Sequence, residues 1–171
     1  MKISKALSAS ALLLMSSASM AACDRETLNT AIDNYFSALQ AHDTTAVPLA
    51  ADLKFTEDGV AMAAGEGFWQ TAGEVVFSRD VLDTETCGTV TQALIKEDGR
   101  DIIFGVRLKL NDSNEISEIE HVIAREEEFA FRPEGVLAPD FINWEAILTK
   151  EERSSRAAMI AAANDYFDMF V

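Results

Sequence analysis

Two histidines, His42 and His121, are the side chains able to exchange a proton near neutral pH. Ile119 and Ile123 flank His121 at a spacing of two, so an extended strand sets all three on one face. An imidazole among apolar neighbours is either a general acid or base beside a pocket, or a core group satisfied by backbone. Both readings stand. His42 falls at the end of a helical stripe, where capping or plain exposure accounts for it. Tyr35 and Trp69 each offer an apolar wall with a polar edge, suited to a binding site or to the core. Arg79 and Asp80 form an ion pair or orient a ligand, although neighbours in a strand face opposite ways. Glu57-Asp58-Gly59 carries two carboxylates within turn chemistry.

The cysteines are Cys23 and Cys87. Neither has a second cysteine nearby, which argues against a zinc site or a redox pair, and in an oxidising compartment an even pair most simply forms one disulfide. There is no nucleophile elbow, phosphate loop, zinc spacing or dinucleotide fingerprint. Asn111-Asp112-Ser113-Asn114 lacks the glycine and glutamate spacing of a calcium loop. No metal and no cofactor is expected.

Residues 1–21 have the form of a secretory signal: Lys2 and Lys5, an apolar run from Ala11 to Met15, then small residues ending at Ala21. The mature chain is therefore expected to be exported, periplasmic or extracellular. A lipoprotein acylated at Cys23 is the alternative, against which Met20 fits poorly. No later stretch approaches the roughly 20 apolar residues of a membrane span. The 14 Lys and Arg stand against 29 Asp and Glu, a net charge of −15, and loss of Lys2 and Lys5 makes the balance more acidic. Such a surface disfavours nucleic acid and anionic membrane, both of which call for basic patches.

The elements that must position these residues follow from periodicity. Leu28, Ala31, Ile32, Tyr35, Phe36 and Leu39 form one apolar stripe, predicting a helix over Asp24–Gln40. A short second helix is expected within Asp43–Ala51, limited by Pro48. Leu53–Thr56 and Val60–Ala64 read as short extended segments about a turn, and the Phe68-Trp69 pair must be buried. From Glu74 the pattern alternates, and Val75–Leu82, Thr89–Lys96, Asp101–Leu110 and Ile116–Phe131 read as strands of an antiparallel meander. Glu126, Glu127 and Glu128 read as a solvent-facing run. Residues 133–155 are a connector with Pro133, Gly135 and Pro139. In the helix expected over 156–171, Met159, Ala162, Ala163, Tyr166, Phe167 and Phe170 repeat the first stripe in order, and Asn164-Asp165-Tyr166-Phe167 echoes Asp33-Asn34-Tyr35-Phe36.

This order, carried by Leu28–Leu39, by Ala50–Gly59 and by the long terminal strands, resembles the nuclear transport factor 2-like, or SnoaL-like, superfamily. The resemblance implies an α+β fold over residues 22–132: a cone-shaped, curved antiparallel sheet with N-terminal helices over its concave face, plus the C-terminal helix. Cys23-Asp24-Arg25, Arg79–Cys87 and Arg156–Phe170 further resemble secreted proteins, familiar from fungi, that carry two such units in tandem. On that reading residues 156–171 begin a second unit.

In the resembled fold the short strand that Glu57 and Asp58 follow borders the pocket, so the resemblance implies that a carboxylate there, Glu57 foremost, can pair with His121; forming the turn is the alternative role. Two functions follow as expectations. One is an exported module binding a small apolar molecule, with Tyr35, Trp69 and Arg79 in the pocket. The other is a cofactor-independent lyase, isomerase or cyclase using His121 and Glu57 as an acid–base pair. A homodimer through the open sheet face or the C-terminal helix is a further alternative.

Overall fold

The structure is a computed structural model that describes residues 23–128, 131–137, 143–144 and 146–170. The expected signal at 1–21 lies outside the described residues. The chain divides into two units, with the boundary after Leu137.

In the first unit, helix α1 (Arg25–Ala41) begins at Asp24, whose carboxylate accepts the Thr27 N–H at 2.8 Å. Capping satisfies a donor that the first turn leaves open. The helix stops at His42, where the backbone turns left-handed and its N–H reaches the carbonyls of Ala38 and Leu39. The expected second helix is only a turn of 3₁₀ helix, Thr44–Ala46, because Pro48 cannot donate and the chain is already extended by Leu49.

Six strands follow: β1 (Leu49–Glu57), β2 (Val60–Met62), β3 (Ala72–Asp83), β4 (Gly88–Glu97), β5 (Arg100–Leu110) and β6 (Ile116–Ala124). Their spatial order is β2-β1-β6-β5-β4-β3. The four long strands form the antiparallel meander that alternation predicts. β1 joins it in parallel beside β6, so the sheet is mixed. Two tight turns use the same chemistry: Asp58-Gly59 and Asp98-Gly99 all have positive φ, the conformation that suits two-residue hairpins.

β6 stops at Ala124, short of the predicted Phe131. The chain turns at Arg125–Glu128, closed by the Glu128 N–H on the Arg125 carbonyl at 3.1 Å, and Glu126, Glu127 and Glu128 face solvent. Within the stretch read as connector, Pro133–Leu137 is a short helix, α2, whose Val136 is buried.

The core lies between α1 and one face of the sheet. Leu28, Ile32, Tyr35, Phe36 and Leu39 pack against Phe55, Ile95, Phe104, Val106, Leu108 and Ile119, all buried. On β5 the alternation Ile102, Phe104, Val106, Leu108 and Leu110 points inward, as its spacing requires. Each such side chain contributes about 1.5–3 kcal/mol on leaving water. Cys23 and Cys87 are joined with their Cα atoms 5.5 Å apart, tying the start of α1 to the β3–β4 turn.

The second unit contains helix α3 (Arg156–Asp168), capped by Ser155 through the Ala158 N–H at 3.2 Å. Tyr166 packs edge-on to Phe167 and Phe170, with centroids 5.5 and 5.3 Å apart. None of its residues is buried.

A Cys23→Ser, Cys87→Ser double variant should lose about 4 kcal/mol of stability, the entropy of closing so long a loop. Urea unfolding measures this, and an unmoved midpoint would show that the cross-link constrains little.

Candidate functional site: a Tyr–His–Glu chain in the core

β1 and β6 run parallel with Glu57 directly opposite His121, and Phe55 opposite Ile119. Side chains paired this way share a face, so both the carboxylate and the imidazole enter the core. His121 Nδ1 lies 3.1 Å from Glu57 Oε2. On the other side of the ring, Nε2 meets the hydroxyl of Tyr35, delivered from α1 by the apolar stripe. His121 and Tyr35 are both fully buried.

Charge and tautomer follow from burial. Desolvation pushes the Tyr35 phenol well above its ordinary range, with the Glu57 carboxylate adding to the shift. Tyr35 therefore keeps its proton and donates to Nε2, which leaves Nδ1–H to donate to Glu57. Burial lowers the pKa of His121, partly opposed by its hydrogen bond to Glu57, so the ring is neutral at neutral pH. Phe55 and Phe104 stand edge-on to the ring at 4.7 and 4.9 Å, completing an aromatic box.

Glu57 is also spoken for. Its two oxygens accept the Phe68 N–H at 2.9 and 3.2 Å, holding the 3₁₀ turn Gly67–Gln70 against the sheet. That turn inserts Phe68 and Trp69, both buried, into the core. Trp69 is edge-on to Tyr35 at 5.4 Å and to Phe55 at 6.4 Å. Its indole Nε1–H is buried without a hydrogen-bond partner, an arrangement that costs about 1–3 kcal/mol.

The remaining predicted residues lie apart. Asp58 sits in the β1–β2 turn, where its carboxylate accepts the Ile123 N–H at 2.9 Å and its own N–H donates to the His121 carbonyl at 3.0 Å. Arg79 pairs with Gln92 across the strands and reaches the Val136 carbonyl at 2.8 Å, with its guanidinium over Phe77 at 5.1 Å. It is not brought to His121. Asp80 takes the Thr91 hydroxyl at 2.5 Å. The imidazole of His42 donates to the Ala72 carbonyl at 2.8 Å, fastening α1 to β3.

Two groupings have no counterpart among the predicted residues. Glu97 accepts from Arg125 at 2.7 and 3.0 Å and from Thr71 at 2.6 Å, and the arginine holds its carboxyl below the usual range. The second is a groove of about 510 Å³ along the N-terminal half of α1. Val47, Leu110 and Ile116 are buried in its floor, and Thr27, Thr30, Asn34 and Asn114 line its sides. Asp24 and Glu26 stand at the same groove. Alternation and helical spacing carry no trace of it, because the outer face of α1 reads as an ordinary solvated face. Among the described residues, no group of His, Cys, Asp and Glu is arranged to hold a metal, and no helix is long and apolar enough to cross a membrane.

A helix laid across one face of a six-stranded sheet whose four long strands form a meander makes the first unit an α+β fold. Within that class, residues 21–123 match the family model described as a domain of unknown function, DUF8021, and the chain belongs to that family. No curated protein matches its sequence. Similar solved structures include a protein of unknown function with a cystatin-like fold from Methylobium petroleophilum, 12% identical with a TM-score of 0.49 over 77% of this chain and 98% of that one. An NTF2-like protein of unknown function from Cytophaga hutchinsonii is 13% identical, TM-score 0.46, over 65% and 95%. A steroid delta-isomerase from Pseudomonas aeruginosa is 11% identical, TM-score 0.46, over 58% and 81%.

Two outcomes test the buried chain. Tyr35→Phe leaves Nε2 without its donor and should cost about 1–3 kcal/mol in urea unfolding. The lowered pKa of His121 makes stability pH-dependent: unfolding frees the ring to bind a proton, so its contribution is complete above about pH 6.5 and is lost as pH falls towards the folded value. His121→Gln should flatten that slope in urea midpoints measured between about pH 8 and 5. An equal slope in both proteins would place the titration elsewhere.

Proposed function

We propose that the protein is an exported module that binds a small, largely apolar, neutral or cationic molecule in the groove beside α1. The observation that carries this is the groove itself. Its volume of about 510 Å³ suits a single small ligand, its floor is apolar, and a few hydroxyl and amide groups are placed to orient what lies there. Asp24 and Glu26 disfavour an anion. Export is supported by the signal-like residues 1–21 and is compatible with the Cys23–Cys87 disulfide.

Thermal-shift screening of the mature protein against small apolar compounds should yield binders. Thr30→Trp, filling the groove from an exposed position, should weaken them at least about tenfold, a change of about 1.4 kcal/mol, without altering the melting temperature of the free protein. Equal affinity in both proteins would move the site elsewhere.

One observation favours a second reading, a cofactor-independent lyase, isomerase or cyclase. Tyr35, His121 and Glu57 form a continuous hydrogen-bonded chain along which a proton can pass. In the closed core both ring nitrogens are already engaged, so this chemistry requires access to the chain. Solvent deuterium incorporation into a panel of carbon acids, abolished by His121→Gln, is the expected signature.

A further inference from the structure

We propose that the connection between Met62 and Ala72 is a hinged strap gating the interior Tyr35–His121–Glu57 chain, with Trp69 as its stopper. The inference rests on the second reading above for its purpose, and it supplies the route that reading lacks.

The topology is the first ground. β2 and β3 are consecutive in the chain but lie at opposite edges of the sheet, so the segment joining them must cross it. The crossing segment forms no strand, and its regular structure is the single turn Gly67–Gln70. It delivers Phe68 and Trp69 into the core, where Trp69 stands against Tyr35 and Phe55. That indole packs edge-on against Tyr35, whose phenol meets His121, so withdrawing it takes away a wall of the buried chain.

The fastening is the second ground. The strap is held by the Glu57 carboxylate on the Phe68 N–H, and by the Thr71 hydroxyl on Glu97. Its other hydrogen bonds are local, such as Glu66 taking the Ala63 N–H at 3.0 Å. Trp69, its largest side chain, fills space but spends its Nε1–H on no acceptor. Release therefore breaks few polar contacts and frees one donor to pair with water.

The hinges are the third ground. Gly65 and Gly67 have φ of +88° and +60°, conformations that L side chains rarely adopt. A Cβ at Gly67 would lie 2.6 Å from Glu57 Oε1 and 2.8 Å from Met62 Sδ. Closure thus depends on a bare backbone passing directly over the carboxylate that holds the histidine. The space vacated on opening suits a flat, ring-sized apolar molecule with one polar substituent to meet Tyr35 or the freed Glu57 carboxylate.

Native-state hydrogen exchange on the full chain tests the gate. The amides of Phe68, Trp69 and Thr71 should exchange by a local opening about 100-fold faster than those of Phe104 and Val106 in β5. Gly67→Ala should accelerate the strap amides about tenfold further, through the left-handed penalty, and leave β5 unchanged. Thr71→Val, which removes only the bond to Glu97, should act in the same direction and serves if Gly67→Ala does not fold. Strap and β5 amides exchanging together, in the native chain and in the variant that folds, would overturn the gate. The probe 2-naphthol should bind the opened variant more tightly than the native chain. Fast strap exchange without any gain in 2-naphthol binding would leave the gate standing and remove the interior site as a place for substrate.

Discussion

A neutral imidazole sealed from water must have both nitrogens paired, and the arrangement of the first unit can be traced to how His121 meets that requirement. Its Nε2 fixes the rotation of α1, since Tyr35 reaches it only when the apolar stripe faces the sheet. Its Nδ1 fixes the register of β1 on β6, since a slip of one residue would turn Glu57 to the other face. Glu57 in turn holds the strap through the Phe68 N–H. Helix, β1 and crossing segment are thus tied to one side chain, and an unpaired nitrogen there would cost about 1–3 kcal/mol, comparable to what burying a whole core side chain gains.

Much of this scaffold is legible from spacing alone. The stripe of α1 and the alternation of β5 are strong because each repeats over several turns or pleats, and the inward placement of His121 follows from Ile119 and Ile123. The pairing with Glu57 is not legible in this way. It depends on a parallel register between segments more than sixty residues apart, which no local pattern encodes, and only the family resemblance suggested it. β1 begins four residues before its predicted start because backbone pairing, rather than its own alternation, defines it. β6 ends early because Arg125 turns inward to Glu97 and Glu127 takes a positive φ.

The two candidate places for a ligand differ in kind. The groove beside α1 is open as the protein stands, and its floor is the same apolar layer that supports the helix from below. The interior chain is chemically richer but filled by the protein's own rings. Each solution has a thermodynamic signature. An open groove binds without disturbing the core, whereas an interior ligand must replace the contacts of Trp69 and is weakened by the scarcity of the open state.

The sheet's two edges carry a consequence for the protein's life at high concentration. β3 is a long edge strand, and a straight, uncharged edge of that length would recruit strands from neighbouring molecules. Here the register with β4 shifts between Val75 and Phe77, bending the strand, and Glu74 and Asp80 are exposed along it. β2, at the opposite edge, is only three residues long. An acidic, kinked border on one side and an abbreviated one on the other make the domain a poor template for fibril growth, and charge-neutralising substitutions along β3 would be the place where that protection fails first.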